Sequence, residues 1–161
     1  MEPYGIGTFI FNPTQRQSFR DGILREQWFE QYPLLFDEHD RRLATNQPMY
    51  HFFEWLGAIR IYQDMGWICL VEKYTCKNHP RKLEFFKSIV PTEVFGLITT
   101  NSFGRQQWPD IFAYSPDEKD WFLCEVKGLG DRLSQKQGLF FTEVEQVSNK
   151  KILSMKFKTH L

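Results

Sequence analysis

Two carboxylates and a lysine lie at the ends of two short apolar runs in the stretch WPDIFAYSPDEKDWFLCEVKG, residues 108–128. Asp110 precedes the first run, whereas Glu125 and Lys127 close the second. An antiparallel hairpin turning within SPDEKD would place Asp110 directly across from Glu125. Opposed side chains on a sheet have Cβ atoms about 4.5–5.5 Å apart, so two carboxylates placed this way repel unless something neutralises them.

A divalent cation bound between the two carboxylates would neutralise their repulsion, because Mg²⁺ takes oxygen ligands and often uses only one or two carboxylates. Lys127 shares the face of Glu125, since side chains two residues apart on a strand point the same way. The Val126 carbonyl lies between them and could also be a ligand. An exposed hairpin with solvated end charges explains the same residues, and a one-residue slip would separate the acids. The spacing alone leaves both interpretations open.

Two further polar residues point toward the same region. Glu54 falls within a predicted helix, 49–65, on a face with the small residues Gly57 and Ala58, where another element can approach closely. A charge on such a face needs a partner or a metal. Gln137 belongs to an S-x-x-Q capping box that starts at Ser134. The simpler alternatives are a buried hydrogen-bond partner or an exposed helix face for Glu54, and only a capping role for Gln137.

The remaining elements follow from hydrophobic periodicity and from Gly and Pro positions. Residues 1–47 are expected to form an N-terminal extension that contains a helix around Phe19–Trp28 and packs on a main domain, 48–161. After the helix at 49–65 we predict a strand at 66–74, a helix at 79–90, and a loop with one short strand at 91–107. Strands at 109–115 and 121–127, a helix at 134–147 and a strand at 152–158 complete the order.

Composition excludes some classes of protein. The 161 residues suffice for one domain, and Lys plus Arg equals Asp plus Glu at 20 each. Any nucleic-acid surface must therefore come from local basic clusters. The candidates are Lys77, Arg81, Lys82, Arg132 and Lys136. Three cysteines without C-x-x-C spacing, no signal peptide and no membrane-spanning run predict a reducing, cytoplasmic location.

The motifs together resemble the VRR-NUC domain, a virus-type replication-repair nuclease module of the PD-(D/E)XK restriction-endonuclease-like superfamily. The matching pieces are Pro109-Asp110, Glu125-Val126-Lys127-Gly128, Asp131-Arg132-Leu133-Ser134 and Gln137, within a resemblance that runs from about residue 49 to 158. Trp108 departs from the small residue usual before P-D. The resemblance implies an α/β fold, a mixed sheet flanked by helices with an αβββαβ core, and Mg²⁺- or Mn²⁺-dependent hydrolysis of DNA phosphodiesters.

The resemblance also implies roles for the candidate residues. Asp110, Glu125 and the Val126 carbonyl would bind the metal, and Lys127 would orient or activate the attacking water. Glu54 fits the acid that such folds supply from the first helix, and Gln137 fits the glutamine after the E-x-K strand.

The expected activity is that of a structure-specific endonuclease, acting on Holliday junctions or flaps in DNA repair or recombination, and a homodimer is compatible with it. The alternatives are a non-catalytic DNA-binding module on a nuclease fold, and a nuclease for single-stranded DNA or RNA.

Overall fold

A computed structural model describes residues 7–101 and 108–160. Within these residues, seven helices surround one five-stranded mixed sheet with the strand order β1-β5-β4-β3-β2. The elements are β1 (Gly7–Ile10), α1 (Pro13–Asp21), α2 (Ile23–Gln31), α3 (Glu38–Asn46), α4 (Phe52–Met65), β2 (Ile68–Val71), α5 (Pro80–Ile89), α6 (Thr92–Asn101), β3 (Ile111–Tyr114), β4 (Trp121–Lys127), α7 (Gln135–Ser148) and β5 (Leu153–Lys158).

The predicted αβββαβ core is present as α4, β2, β3, β4, α7 and β5, with α5 and α6 inserted between β2 and β3. Strands β2, β3 and β4 are antiparallel neighbours, whereas β5 runs parallel to β4. The parallel pair needs a crossover connection, and α7 supplies it. No helix in the described part of the chain is both long and apolar enough to span a bilayer.

Strands β2, β3 and β4 are buried on both faces, which explains why they read as continuous apolar runs. One face carries Ile111, Cys124 and Val126 and packs against α4. The other carries Phe112 and Leu123 and packs with side chains of α5, α6 and α7. In these three strands the charged side chains are therefore restricted to the end of β4, whereas β5 has an alternating pattern with exposed lysines.

The N-terminal part differs from the predicted single helix. Gly22, with φ of 99°, ends α1 and begins α2, so the stretch around Phe19–Trp28 forms two helices. Strand β1 and helix α3 were not predicted. β1 pairs in parallel with β5 and so depends on residues distant in sequence, which periodicity within the N-terminal part does not reveal.

The prediction for 91–107 was also wrong where the structure describes it. Residues 92–101 form α6, because Val94 and Ile98, one helical turn apart, are both fully buried against the second face of the sheet. Residues 102–107 lie outside the described part of the chain. The predicted strand at 66–74 is shorter, since Glu72 and Lys73 adopt positive φ and end β2 at Val71.

Candidate active site

The hairpin of β3 and β4 has the predicted register. Ile111 pairs with Cys124, and one step further Asp110 lies across from Glu125. The Asp110 amide donates to Glu125 Oε1 at 3.3 Å, and the Val126 amide donates to Asp110 Oδ2 at 2.8 Å. The two carboxylates therefore occupy the same end of the sheet, as the sequence predicted.

Burial and mutual repulsion make this pair electrostatically costly. Glu125 is only 3% exposed. Burial, and then the charge of Glu125, raise the pKa of Asp110 well above its usual range. Because the ionised pair is disfavoured on its own, a proton or a cation must neutralise it.

Lys127 and Gln137 both contact one oxygen of Glu125. Lys127 Nζ lies 3.0 Å from Glu125 Oε2, and Gln137 Nε2 donates to the same oxygen at 2.9 Å. Gln137 also completes the capping box: its Oε1 accepts from the Ser134 amide at 3.2 Å, and Ser134 Oγ accepts from the Gln137 amide at 3.1 Å. The start of α7 is thereby fixed directly against the Glu125 carboxylate.

Glu54 reaches the site from the first turn of α4. A Cβ on Gly57 would lie 3.2 Å from Val126 Cγ2, so this glycine lets α4 approach the sheet closely, as its small size suggested. Burial, followed by repulsion from Glu72, raises the pKa of Glu54 to about 7. The charge of Glu125 also raises the pKa of Glu54, and the charge of Glu54 raises that of Asp110, which places the helix acid within electrostatic reach of the strand acids.

Glu72 and His51 are part of this region although the sequence did not single them out. The Glu72 amide donates to the Asp110 carbonyl at 2.9 Å, one step beyond the β2–β3 ladder. His51 Nδ1 lies 3.4 Å from Glu72 Oε1, and this contact raises the pKa of His51. The sequence contained one signal for Glu72. Glu72 directly follows the apolar run ICLV, and Asp110 directly precedes the apolar run IFAY. If these runs are antiparallel neighbours, the two acids lie at the same end of the sheet.

Among the residues that the structure describes, two groups of side chains have the spacing of metal ligands. His51, Glu54 and Glu72 place their ligand atoms within 4.8 Å of one another, beside Asp110 and Glu125. Asp37, His39 and His79 form the second group, but Asp37 already accepts from Arg81 and His79 Nδ1 accepts from the Lys82 amide. The first group, with its oxygen-rich surroundings, is the better cation site.

The five residues predicted to contact DNA have different environments. Lys82 is buried at 1% exposure, with its Nζ 2.6 Å from Asp40 Oδ1 and 2.9 Å from the Val71 carbonyl, so its ammonium does not face solvent. Arg81 is ion-paired with Asp37. Lys77, Arg132 and Lys136 are exposed.

A cavity of about 300 Å³ opens beside Glu125 and Lys127. Phe141, Thr142 and Ser154 contribute to its wall. Space for a substrate group therefore lies next to the carboxylate that Lys127 and Gln137 contact.

No protein-family model and no curated protein matches the chain. Among solved structures, the chain is similar to the crystal structure of paFAN1 bound to 2-nucleotide 5′ flap DNA with a gap, at 15% sequence identity and a TM-score of 0.32. The match covers 90% of this chain and 21% of that chain, so this chain spans about a fifth of the length of the solved one.

Proposed function

We propose that this protein is a divalent-metal-dependent DNA endonuclease that hydrolyses phosphodiester bonds at the site formed by Asp110, Glu125 and Lys127. The observation that carries the proposal is the opposed pair of carboxylates, Glu125 buried and Asp110 partly buried, with Lys127 and Gln137 both contacting Glu125. A purely structural hairpin would not need two acids at a buried strand end.

The residues present fit a hard cation. Asp110, Glu125 and the Val126 carbonyl would hold it, and the raised pKa of Asp110 reflects its burial beside the charge of Glu125, which a cation would offset. Glu54, with His51 and Glu72, offers donors for a second cation. When bound, such a cation neutralises charge on the phosphate and makes a coordinated water more acidic.

The side chains have distinct tasks in this proposal. Lys127 is a hydrogen-bond donor fixed by Glu125, so its ammonium can orient the attacking water and stabilise charge on the phosphate. The Gln137 amide fixes the Glu125 carboxylate through its own hydrogen bond. The attacking water gives up a proton as its oxygen bonds to phosphorus, the ester P–O bond breaks with its electron pair going to the departing oxygen, and that oxygen takes up a proton from solvent.

DNA with a branch or a flap is the proposed substrate, in a repair or recombination process. Arg132 and Lys136 support DNA as the partner, because both are exposed on the segment that leads into and begins α7, next to the site. Basic side chains there would hold the backbone on either side of the scissile phosphate.

The test incubates the purified protein with four-way junction, 5′ flap, duplex and single-stranded DNA, with Mg²⁺, Mn²⁺ or EDTA. We expect cleavage only with a metal, and a loss of at least about 100-fold in Asp110→Asn and Lys127→Ala. Asp117→Asn, at the turn of the same hairpin, is the matched control and should cleave normally. Cleavage in EDTA or by Asp110→Asn would overturn the mechanism, whereas binding without cleavage would indicate a non-catalytic module.

A further inference from the structure

Helix α1 is anchored against the first turn of α4, the turn that carries Glu54. Phe19 is fully buried, with ring centroids 5.5 Å from both Trp28 and Phe52. Phe11, just before α1, makes an edge contact with Phe53 at 5.0 Å. This aromatic cluster fixes the position of α1 relative to the candidate active site.

Arg16 extends from α1 toward that site. Its Cζ lies 4.8 Å from the centre of the Phe53 ring, a cation–π contact. Phe53 precedes Glu54 in α4 and also covers Gly128, where a Cβ would lie 2.5 Å from the ring. Gly128 directly follows Lys127, the last residue of β4. The Phe53 ring therefore lies between Arg16 and two places that carry site residues: the start of α4 and the end of β4.

Arg20 lies one helical turn after Arg16 on the same side of α1. Among the residues that the structure describes, no carboxylate is within salt-bridge distance of either guanidinium. Each side chain also has its Nε atom buried without a hydrogen-bond partner. Asp21 in the same helix accepts from Gln17 Nε2 at 2.9 Å.

The electrostatics agree with this geometry. Burial, and then repulsion from Arg20, lower the pKa of Arg16, and the opposing effects of Asp131 and Glu54 do not cancel this. Two partly exposed guanidinium groups held together without a close anion form a site that an anion would stabilise.

We propose that Arg16 and Arg20 bind backbone phosphate of the DNA strand that enters the active site, so that helix α1 forms part of the substrate-binding surface. The guanidinium fork matches the geometry of a phosphate, and two such groups spaced one turn apart can contact neighbouring phosphates. The inference rests on the proposed function for its ligand, but it concerns binding rather than cleavage.

The test measures binding of a fluorescent 5′ flap DNA in EDTA, where cleavage does not interfere, over a range of salt concentrations. Arg16→Gln/Arg20→Gln should weaken binding at least about tenfold and reduce the slope of log K against log salt by roughly 1.8. Arg16→Lys/Arg20→Lys keeps the charge and should retain most of that slope. Lys119→Gln, at the hairpin turn far from the site, is the charge control. It should change the slope by less than the roughly 0.9 that one lost phosphate contact would cause.

Unchanged affinity and slope in the double glutamine variant would overturn the inference while leaving the nuclease proposal intact. Conversely, a wild-type protein that cleaves none of the DNA substrates but binds them through these arginines would overturn the nuclease proposal alone. Thermal denaturation distinguishes lost contacts from lost folding. If the double glutamine variant unfolds, two other variants decide. The inference is supported if the double lysine variant keeps affinity and slope close to wild type and Arg20→Gln alone weakens binding. Normal binding by Arg20→Gln overturns it.

Discussion

At the scale of single residues, the Glu125 carboxylate is held by three donors. The Asp110 amide donates to one oxygen, and Lys127 and Gln137 contact the other. These contacts hold a buried carboxylate in one orientation, but they do not remove its repulsion from Asp110. The arrangement therefore sacrifices stability in the absence of a cation, as is common at functional sites.

Asp110→Asn tests this conflict between stability and function. Removing the disfavoured charge should raise the free energy of unfolding by about 1–2 kcal/mol at pH 8 in EDTA, although cleavage is lost. Thermal denaturation with and without Mg²⁺ is the measurement, and added metal should stabilise the wild type much more than the variant. A lower melting temperature for the variant in EDTA would mean that Asp110 is needed for folding.

Gln137→Ala and Ser134→Ala separate the two roles of the capping box. Each removes one half of the box, so both should cost about 0.5–1 kcal/mol of stability. Only Gln137→Ala also removes the donor to Glu125, and we expect its kcat to fall about tenfold. Chemical denaturation and single-turnover cleavage measure the two effects. Equal losses of activity in both variants would show that Gln137 only caps the helix.

At the scale of elements, the parts that local patterns specify were predicted well. Gly66 ends α4, and Ser134 begins α7 with its capping box, as their residue types indicate. The hairpin register followed from its turn. His51 and Glu72 were missed because they meet only through the packing of α4, which begins after His51, against β2, which ends just before Glu72. The strand ends hinted at Glu72 beside Asp110, but the contact with His51 depends on tertiary structure.

Gly128→Ala should disturb the packing between the end of β4 and helix α4. Its Cβ would lie 2.5 Å from the Phe53 ring, so the ring must move, and Glu54 next to it would shift. We expect a loss of about 1–3 kcal/mol in stability together with reduced cleavage. Phe53→Leu in the same chain should restore part of both, which a double-mutant cycle measures.

Gly96→Ala is the matched control for this substitution. Gly96 lies inside α6, and a Cβ there would meet nothing within 4 Å. Alanine should stabilise the helix by about 0.5–1 kcal/mol and leave cleavage unchanged. Comparable destabilisation at both glycines would contradict the packing argument.

At the scale of the whole molecule, a buried ion pair joins the N-terminal helices to the core. Asp40 in α3 meets Lys82 in α5, and Lys82 also donates to the Val71 carbonyl at the end of β2. Burial outweighs the attraction of Lys82 and raises the pKa of Asp40 to about 6. The folded state thus binds a proton here more tightly than the unfolded chain, so stability falls as pH rises from about 4 through 6.

Asp40→Asn/Lys82→Met should be as stable as wild type at pH 7, or more so, because it removes two buried charges together. Either substitution alone should cost about 3–5 kcal/mol by leaving one group unpaired. In the wild type, Asp40 should lower the free energy of unfolding between pH 4 and 6 by on the order of 3 kcal/mol at most, and this decrease should be absent from the double variant. Urea denaturation at pH 4.5 and 7 checks both statements, and a double variant as unstable as the singles would contradict them.

The pairing of Gly7 with Met155 on the edge of the sheet has a consequence for how the protein forms. During synthesis, β1 emerges first but has no neighbour until residues 153–158 have left the ribosome, and β4 awaits the same strand. Such a long-range pairing is slow to form. The hairpin of β3 and β4 can bring Asp110 and Glu125 together before that moment. The sheet beside them is closed only when β5 arrives, so the proposed active site would be completed late in folding.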